Sequence, residues 1–351
     1  MNIHVLRRRV AARAVGFFFG KPRTACIQTE PLPVKGVFRV LVCRITHSLG
    51  NTLLLTPLIR EIEAVYPGAE IDILTRNAAA TEIFGAFRSV RMVYLLPAHA
   101  FRHPWQFLQV LRSMRSVQYD LVIDPCPRSQ TGRLTLLLAK GRYKLGFAGG
   151  RKSGAITHAI QAPDPPMHVG QLPVFQLRAA IGNTASAAYP TLDLGLTPAE
   201  RQQGAAVLFA LTASPAGIGG GKCVIGIFAN ATGVKFLGSA WWHRFMDVLE
   251  PHCEGYAIIE IVPMTGRSLL DSRYPAYYSS SIRKLSATLS GLSLFISADC
   301  GVMHLACASG TPTIGIFTIT NPLEWGPYGP YDRAVAALDL TPEQVAQQVV
   351  A

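Results

Sequence analysis

Three short stretches combine a glycine, a helix start and polar side chains, the set needed to hold an anionic or polar ligand against a chain turn. The first is Arg44-Ile45-Thr46-His47-Ser48-Leu49-Gly50-Asn51-Thr52, directly after an apolar run. Gly50 permits close backbone approach, and Asn51 or Thr52 is placed to cap the following helix. The amides at that start suit a phosphate or another polar group, with His47 and Ser48 in the same loop. The second is Ser297-Ala298-Asp299-Cys300-Gly301-Val302-Met303-His304. There Asp299 suits a ribose hydroxyl or a helix cap, Gly301 admits a diphosphate to the amides, and His304 can donate to phosphate. The third, Asn230-Ala231-Thr232-Gly233-Val234-Lys235, offers polar donors and one cation. Each residue alone has an ordinary structural reading as a cap, a half-buried histidine or a solvated lysine. Three such turns in one chain favour a ligand.

The elements that must position these turns are legible as alternating patterns. Apolar runs at 37–45 (VFRVLVCRI), 69–75, 90–96, 119–124 and 144–147 read as strands. Helical spacing occupies 52–65 and 105–116. Strand and helix in alternation imply parallel strands joined by crossover helices. A proline-rich stretch at 161–173 and a small, polar one at 181–190 interrupt the pattern. A second series follows, with strands at 223–229, 256–262, 294–297 and 313–317 and helices near 241–250 and 341–350, the last with Pro342 in its first turn. The helix after Gly301 is expected to stop at Gly310, with Pro312 beyond. The expected fold is α/β, two doubly wound Rossmann-like domains facing a cleft, at 37–185 and 186–351 behind a basic leader at 1–36. Ligands of open parallel sheets gather beyond the carboxyl ends of the strands, so all three turns should face that cleft.

Composition narrows the partners. The 351 residues carry 33 Lys+Arg against 21 Asp+Glu, a net charge of +12 that favours polyanions: nucleotide phosphates, nucleic acid or an anionic membrane surface. Lys and Arg form no array interleaved with aromatics, which argues against nucleic acid. No G-x-G-x-x-G opens a helix, which argues against a dehydrogenase. The seven cysteines are scattered, with no C-x-x-C pair, so neither a disulfide framework nor a zinc ribbon is expected and a reducing compartment follows. The leader places Arg7, Arg8, Arg9, Arg13, Lys21 and Arg23 around a short apolar patch, too short for a secretory signal. It reads as a flexible basic arm or a membrane-surface arm.

The stretch GNTLLLTPLIREIEAVYPGAEIDIL and the Asp-x-Gly-x-x-His segment FISADCGVMHLACASGTPTIGIF resemble the ADP-heptose:lipopolysaccharide heptosyltransferase family, glycosyltransferase family 9. The Ala229–Lys235 loop and GPYGP at 326–330 fit the same pattern. The resemblance implies a GT-B fold and an inverting, metal-independent transfer from a nucleotide-sugar, ADP-heptose, to a lipopolysaccharide core or other envelope glycan. It implies no cofactor, a cytoplasmic location at the inner face of the inner membrane, and an acceptor-side first domain with Ser48, Gly50 and Thr52 in its loop. Carried over by position, Lys235 neutralises the leaving diphosphate, and Asn230, Thr232, Asp299, Gly301 and His304 hold the donor. The family's catalytic aspartate falls on Asn51, and a carboxamide has no usable basicity, whereas a positioned base is worth ~10²–10⁴-fold. Three outcomes stay open: His47 takes the proton, Asn51 orients the acceptor while leaving-group stabilisation carries catalysis, or the protein binds without turnover.

Overall fold

The computed structural model describes residues 30–99, 102–127, 129–149, 155–183, 187–213 and 223–351. In chain order the elements are β1 (Arg39–Cys43), α1 (Leu49–Leu53), α2 (Thr56–Val65), β2 (Glu70–Thr75), α3 (Ala80–Phe84), β3 (Val90–Leu95), α4 (Pro104–Ser116), β4 (Tyr119–Ile123), α5 (Gln130–Leu138), β5 (Gly141–Phe147), β6 (His158–Ile160), α6 (Leu172–Ala180), α7 (Pro198–Thr212), β7 (Val224–Phe228), α8 (Ser239–Leu249), β8 (Ala257–Ile261), β9 (Ala276–Tyr277), α9 (Ile282–Leu289), β10 (Leu294–Ala298), α10 (Gly301–Ala308), β11 (Thr313–Phe317), α11 (Pro322–Trp325), β12 (Arg333–Ala336) and α12 (Pro342–Val350).

These strands make two six-stranded sheets, ordered β3-β2-β1-β4-β5-β6 and β12-β11-β10-β7-β8-β9. Each recorded pairing is parallel. Read from β7 outward, the second order repeats the first. Helices cover both faces of such sheets, so their central strands are apolar throughout: β7 (VIGIF) and β11 (TIGIF) are buried at every residue. The strand order reverses between β1 and β4, and again between β7 and β10. Those two switch points open the crevices where ligands of this architecture sit.

Local signals set the helix ends. Thr341 caps α12 reciprocally with Gln344, Pro342 follows the cap, and Gly310 ends α10 at a positive φ of 83°. The helix expected over 52–65 is two helices. Pro57 has no amide hydrogen, so the carbonyl of Leu53 accepts from the Thr56 hydroxyl at 2.9 Å and the chain restarts as α2. The shorter α1 begins earlier than expected. Its cap is Ser48, whose hydroxyl accepts from the Asn51 amide, rather than Asn51 or Thr52.

The two sheets are joined by close contacts. A Cβ on Gly50 would lie 2.8 Å from His304 Cδ2, and one on Gly301 would lie 3.0 Å from Leu49 Cβ. Thus α1 of the first half and α10 of the second cross through a pair of glycines. The Arg283 guanidinium, on α9, donates to Glu200 at 2.7 Å and to the Glu82 carbonyl at 3.3 Å. Of the expected leader, residues 1–29 lie outside the described residues. Residues 30–36 pack on the first half, where buried Leu32 donates its amide to Ala180 at 2.7 Å. Among the described residues no helix is long and apolar enough to cross a membrane.

Candidate active site

The first switch point opens into a cavity of about 540 Å³. Arg44, Ile45 and Thr46 after β1 meet Pro125, Cys126, Pro127 and Ser129 after β4, with Asn51 on α1 between them. The proline-rich stretch read as an interruption is its wall, through Pro163, Pro166, Met167 and Pro173. The second half contributes Glu324 and Trp325.

Of the site residues expected in this turn (His47, Ser48, Gly50, Asn51 and Thr52), Asn51 alone lines this cavity. Its Oδ1 accepts from Arg44 Nη2 at 2.7 Å. A guanidinium only donates, so the amide oxygen must face Arg44 and the NH2 group is what Asn51 has to offer elsewhere. Arg44 also contacts the Cys126 sulfur, which ties the turn after β1 to the turn after β4. The other loop residues do structural work. Ser48 caps α1 and gives its carbonyl to Thr52. Thr52 is buried and accepts from Asn77 Nδ2 at 2.8 Å. Gly50 supplies the room for His304. His47 is exposed and lies outside the cavity lining.

Beneath the cavity floor Asp124 is wholly buried, and its Oδ1 accepts the Cys126 amide at 3.2 Å. Burial pushes its carboxyl up to about 7, against the Cys126 amide and the guanidinium groups of Arg133 and Arg44.

The second switch point is closed by charge. Lys235 Nζ lies 2.8 Å from Asp299 Oδ2, joining the turn after β7 to the turn after β10. Thr320 donates to the same carboxylate oxygen. Lys235 is therefore a paired cation. Asp299 serves as its counter-ion, and the residue at the cap position of α10 is Cys300, with no side-chain cap bond. Asn230 is half-buried at the end of β7, while Thr232 and Gly233 are exposed. A Cβ at Gly301 would meet Leu49 and Gly50, so the missing side chain serves the crossing with α1 rather than access of a ligand. His304 is buried in that crossing, its Nδ1 unpartnered. Burial, then the charges of His168 and Lys235, pull its pKa down to about 3, which leaves a neutral ring near pH 7. Among the described residues no three His, Cys, Asp or Glu side chains converge as a metal-ligand set.

Arg44 stands in the first stretch read from the sequence but without a role there, and the turn after β4 and Glu324-Trp325 escaped that reading. The signal for the first two was available: both follow strands that flank a reversal of strand order. No local pattern marks the third.

Residues 280–350 match the family described as glycosyltransferase family 9 (heptosyltransferase). Over 60 residues the chain is 35% identical to the lipopolysaccharide core heptosyltransferase OpsX of Haemophilus influenzae, a match spanning 17% of this chain and 17% of that protein. Its fold is similar to a family 9 glycosyl transferase from Veillonella parvula, with a TM-score of 0.72, 16% identity and 88% of each chain covered. It is also similar to E. coli heptosyltransferase WaaC with ADP, with a TM-score of 0.66, 20% identity, and 89% of this chain and 99% of that one covered. The expected architecture, two Rossmann-like α/β halves in a GT-B arrangement, is borne out. The family match contains Asp299, Gly301 and His304 but stops short of Lys235 and Asn51.

Proposed function

We propose, from the premise that the chain carries the glycosyltransferase family 9 pattern on a GT-B frame, that it is an inverting glycosyltransferase. It moves a heptose or related sugar from a nucleotide-sugar, ADP-heptose, to a lipopolysaccharide core or other envelope glycan. The observation that carries this reading is the Lys235–Asp299 pair at one switch point, placed across the α1–α10 crossing from an open, largely apolar cavity at the other.

Sugar transfer from a diphosphate needs charge stabilised as the leaving group departs. Lys235, already oriented by Asp299, meets that charge without reorganisation at the moment of reaction. Asn230, Thr232 and the turn carrying Gly301 and His304 complete the donor side of the 186–351 half. The acceptor occupies the cavity of the 37–185 half, its hydroxyl hydrogen-bonded by the Asn51 amide. No metal or cofactor takes part, since lysine and backbone amides carry the charge. The reaction belongs at the cytoplasmic face of the inner membrane, with peripheral contact to anionic lipid and no role for nucleic acid.

The test is release of ADP from ADP-heptose, with and without heptose-deficient lipopolysaccharide. Acceptor-dependent release that survives EDTA is expected. The arginine-held amide at position 51 favours a second reading, a sugar-nucleotide or glycan-binding protein without turnover. ADP binding with no release under either condition would establish that reading instead.

A further inference from the structure

A transfer that inverts the anomeric carbon must also remove a proton from the attacking hydroxyl, and Asn51 cannot accept one. The cavity itself offers another group. Among the described residues that line it only Glu324 carries a carboxyl, and it comes from the opposite half of the molecule. Arg44 is a permanent cation there, and Thr46 and Ser129 are alcohols.

Three contacts hold that carboxylate's carrier against the first half. Val169 donates its amide to the Glu324 carbonyl at 2.9 Å. His168 Nδ1 accepts from the Gly170 amide at 3.1 Å, so its Nε2 carries the proton and donates to the Gly326 carbonyl at 3.0 Å. The same ring stacks on Tyr328, with centroids 4.7 Å apart. Burial lowers the pKa of His168, which keeps the ring neutral in this joint. The side chain is steered as well: Asn321 caps α11 through Oδ1 and donates from Nδ2 to Glu324 Oε1 at 3.1 Å. A carboxylate of the donor half is thereby fixed in the wall of the acceptor cavity.

We infer that Glu324 is the general base of the transfer, in place of the aspartate that position 51 lacks. The inference rests on the transfer reading above. As the acceptor oxygen forms its bond to the anomeric carbon, its proton passes to the Glu324 carboxylate. The bond from that carbon to the diphosphate oxygen breaks, and the electron pair leaves with the diphosphate toward Lys235. Asn51, with its oxygen held by Arg44, donates to the acceptor and positions it.

The experiment measures ADP release from ADP-heptose with heptose-deficient lipopolysaccharide across pH, beside ADP affinity by calorimetry. Glu324→Gln should lower kcat by ~10²–10³-fold, within the range for loss of a positioned base. ADP affinity should stay unchanged, which also shows the variant folded. The fall of kcat toward acid pH, where a carboxylate base is protonated, should vanish. Asn51→Asp should restore Glu324→Gln by at least about tenfold, because it returns a carboxylate to the other wall of the same cavity. Glu324→Asp should keep part of the rate. If Glu324→Gln turns over like wild type, or if His47→Ala removes the acid limb, the base is not Glu324. A wild type that releases no ADP overturns the transfer reading and this assignment with it.

Discussion

The two switch points share one strand order and hold opposite contents. Between β1 and β4 lies an open cavity walled by prolines, Met167 and Trp325, where a half-buried arginine steers one amide. Between β7 and β10 the space is spanned by an ion pair whose carboxylate is 6% exposed and whose ammonium is 30% exposed. Topology places a ligand crevice at both positions, and the side chains decide what each one takes. On the proposed reading, a hydroxyl-rich, largely apolar-backed acceptor takes the first and a diphosphate the second.

The largest effect should come from breaking the charged half. Lys235→Ala leaves Asp299 buried beside the place where negative charge develops. ADP release should fall ~10²–10³-fold, the usual result of deleting one preorganised stabiliser of developing charge. Asp299→Ala should weaken ADP affinity more than it lowers kcat. If neither variant alters turnover, the second switch point is not the donor side and the contrast between the two crevices fails.

The seam between the halves should respond next. Gly50→Ala drives a methyl group to 2.8 Å from the ring of buried His304, and Gly301→Ala meets Leu49 at 3.0 Å. Neither neighbour lies at the end of a flexible side chain. Each substitution should cost ~1–3 kcal/mol, as overpacking of a close-packed contact does, read as a lower denaturant midpoint. An unchanged midpoint would mean that α1 and α10 do not meet so closely in solution.

How much of this was legible follows from where each signal resides. The central strands are continuous apolar runs, so β1, β7, β10 and β11 could be read within a residue or two, and Thr341-Pro342 marked the last helix. Three of the four edge strands, β6, β9 and β12, could not be. Residues Ala276–Tyr277 of β9 and Arg333–Ala336 of β12 are largely exposed and acquire strand geometry from their neighbours, not from their own pattern. For the site, Lys235, Asp299 and Asn51 were visible because each follows a strand. Their relations were not: the pairing of Lys235 with Asp299 spans 64 positions of chain, and the grip of Arg44 on Asn51 depends on the helix starting at Ser48. Glycine misled most. Gly50 and Gly301 read as openings for a ligand, and the space they leave is filled by the facing helix.

The two halves should also differ in how acid and base disturb them. His304 titrates at about 3 when folded against 6.5 ordinarily. The unfolded chain takes that proton first, so the stability tied to His304 is complete above pH 6.5 and declines as pH falls toward 3. Asp124, raised from 3.8 to about 7, behaves oppositely: its contribution is complete below pH 3.8 and is lost as pH rises through 7. Asp124→Asn should therefore flatten the decline in stability between pH 4 and 7, and His304→Asn the decline between 6.5 and 3. Both effects are moderate, because unfolding sums many titrating groups. Denaturant midpoints across pH measure them, and identical profiles for both variants and wild type would remove the distinction.

The smallest effect concerns what lies outside the first crevice. The exposed side of α4 presents Trp105, 80% exposed, and Leu108, while Leu111 and Met114 face inward. The helix has no acidic residue, and exposed Arg102 and Arg112 flank the two apolar side chains. Leu95 and Leu96 at the end of β3 and Gln106 of α4 line a small groove with Arg76, which follows β2. This surface thus lies at the strand ends that also open the acceptor cavity. An indole and a leucine between arginines fit the interface of an anionic bilayer. The protein should co-sediment with vesicles containing phosphatidylglycerol and less with pure phosphatidylcholine, more weakly at high salt. Arg102→Ala and Arg112→Ala should each cost about 1 kcal/mol of membrane affinity, roughly fivefold, with ADP release from a soluble acceptor unchanged. Equal binding to neutral and anionic vesicles, or binding indifferent to both arginines, would move the membrane contact away from α4 and leave the acceptor cavity without a lipid-facing rim.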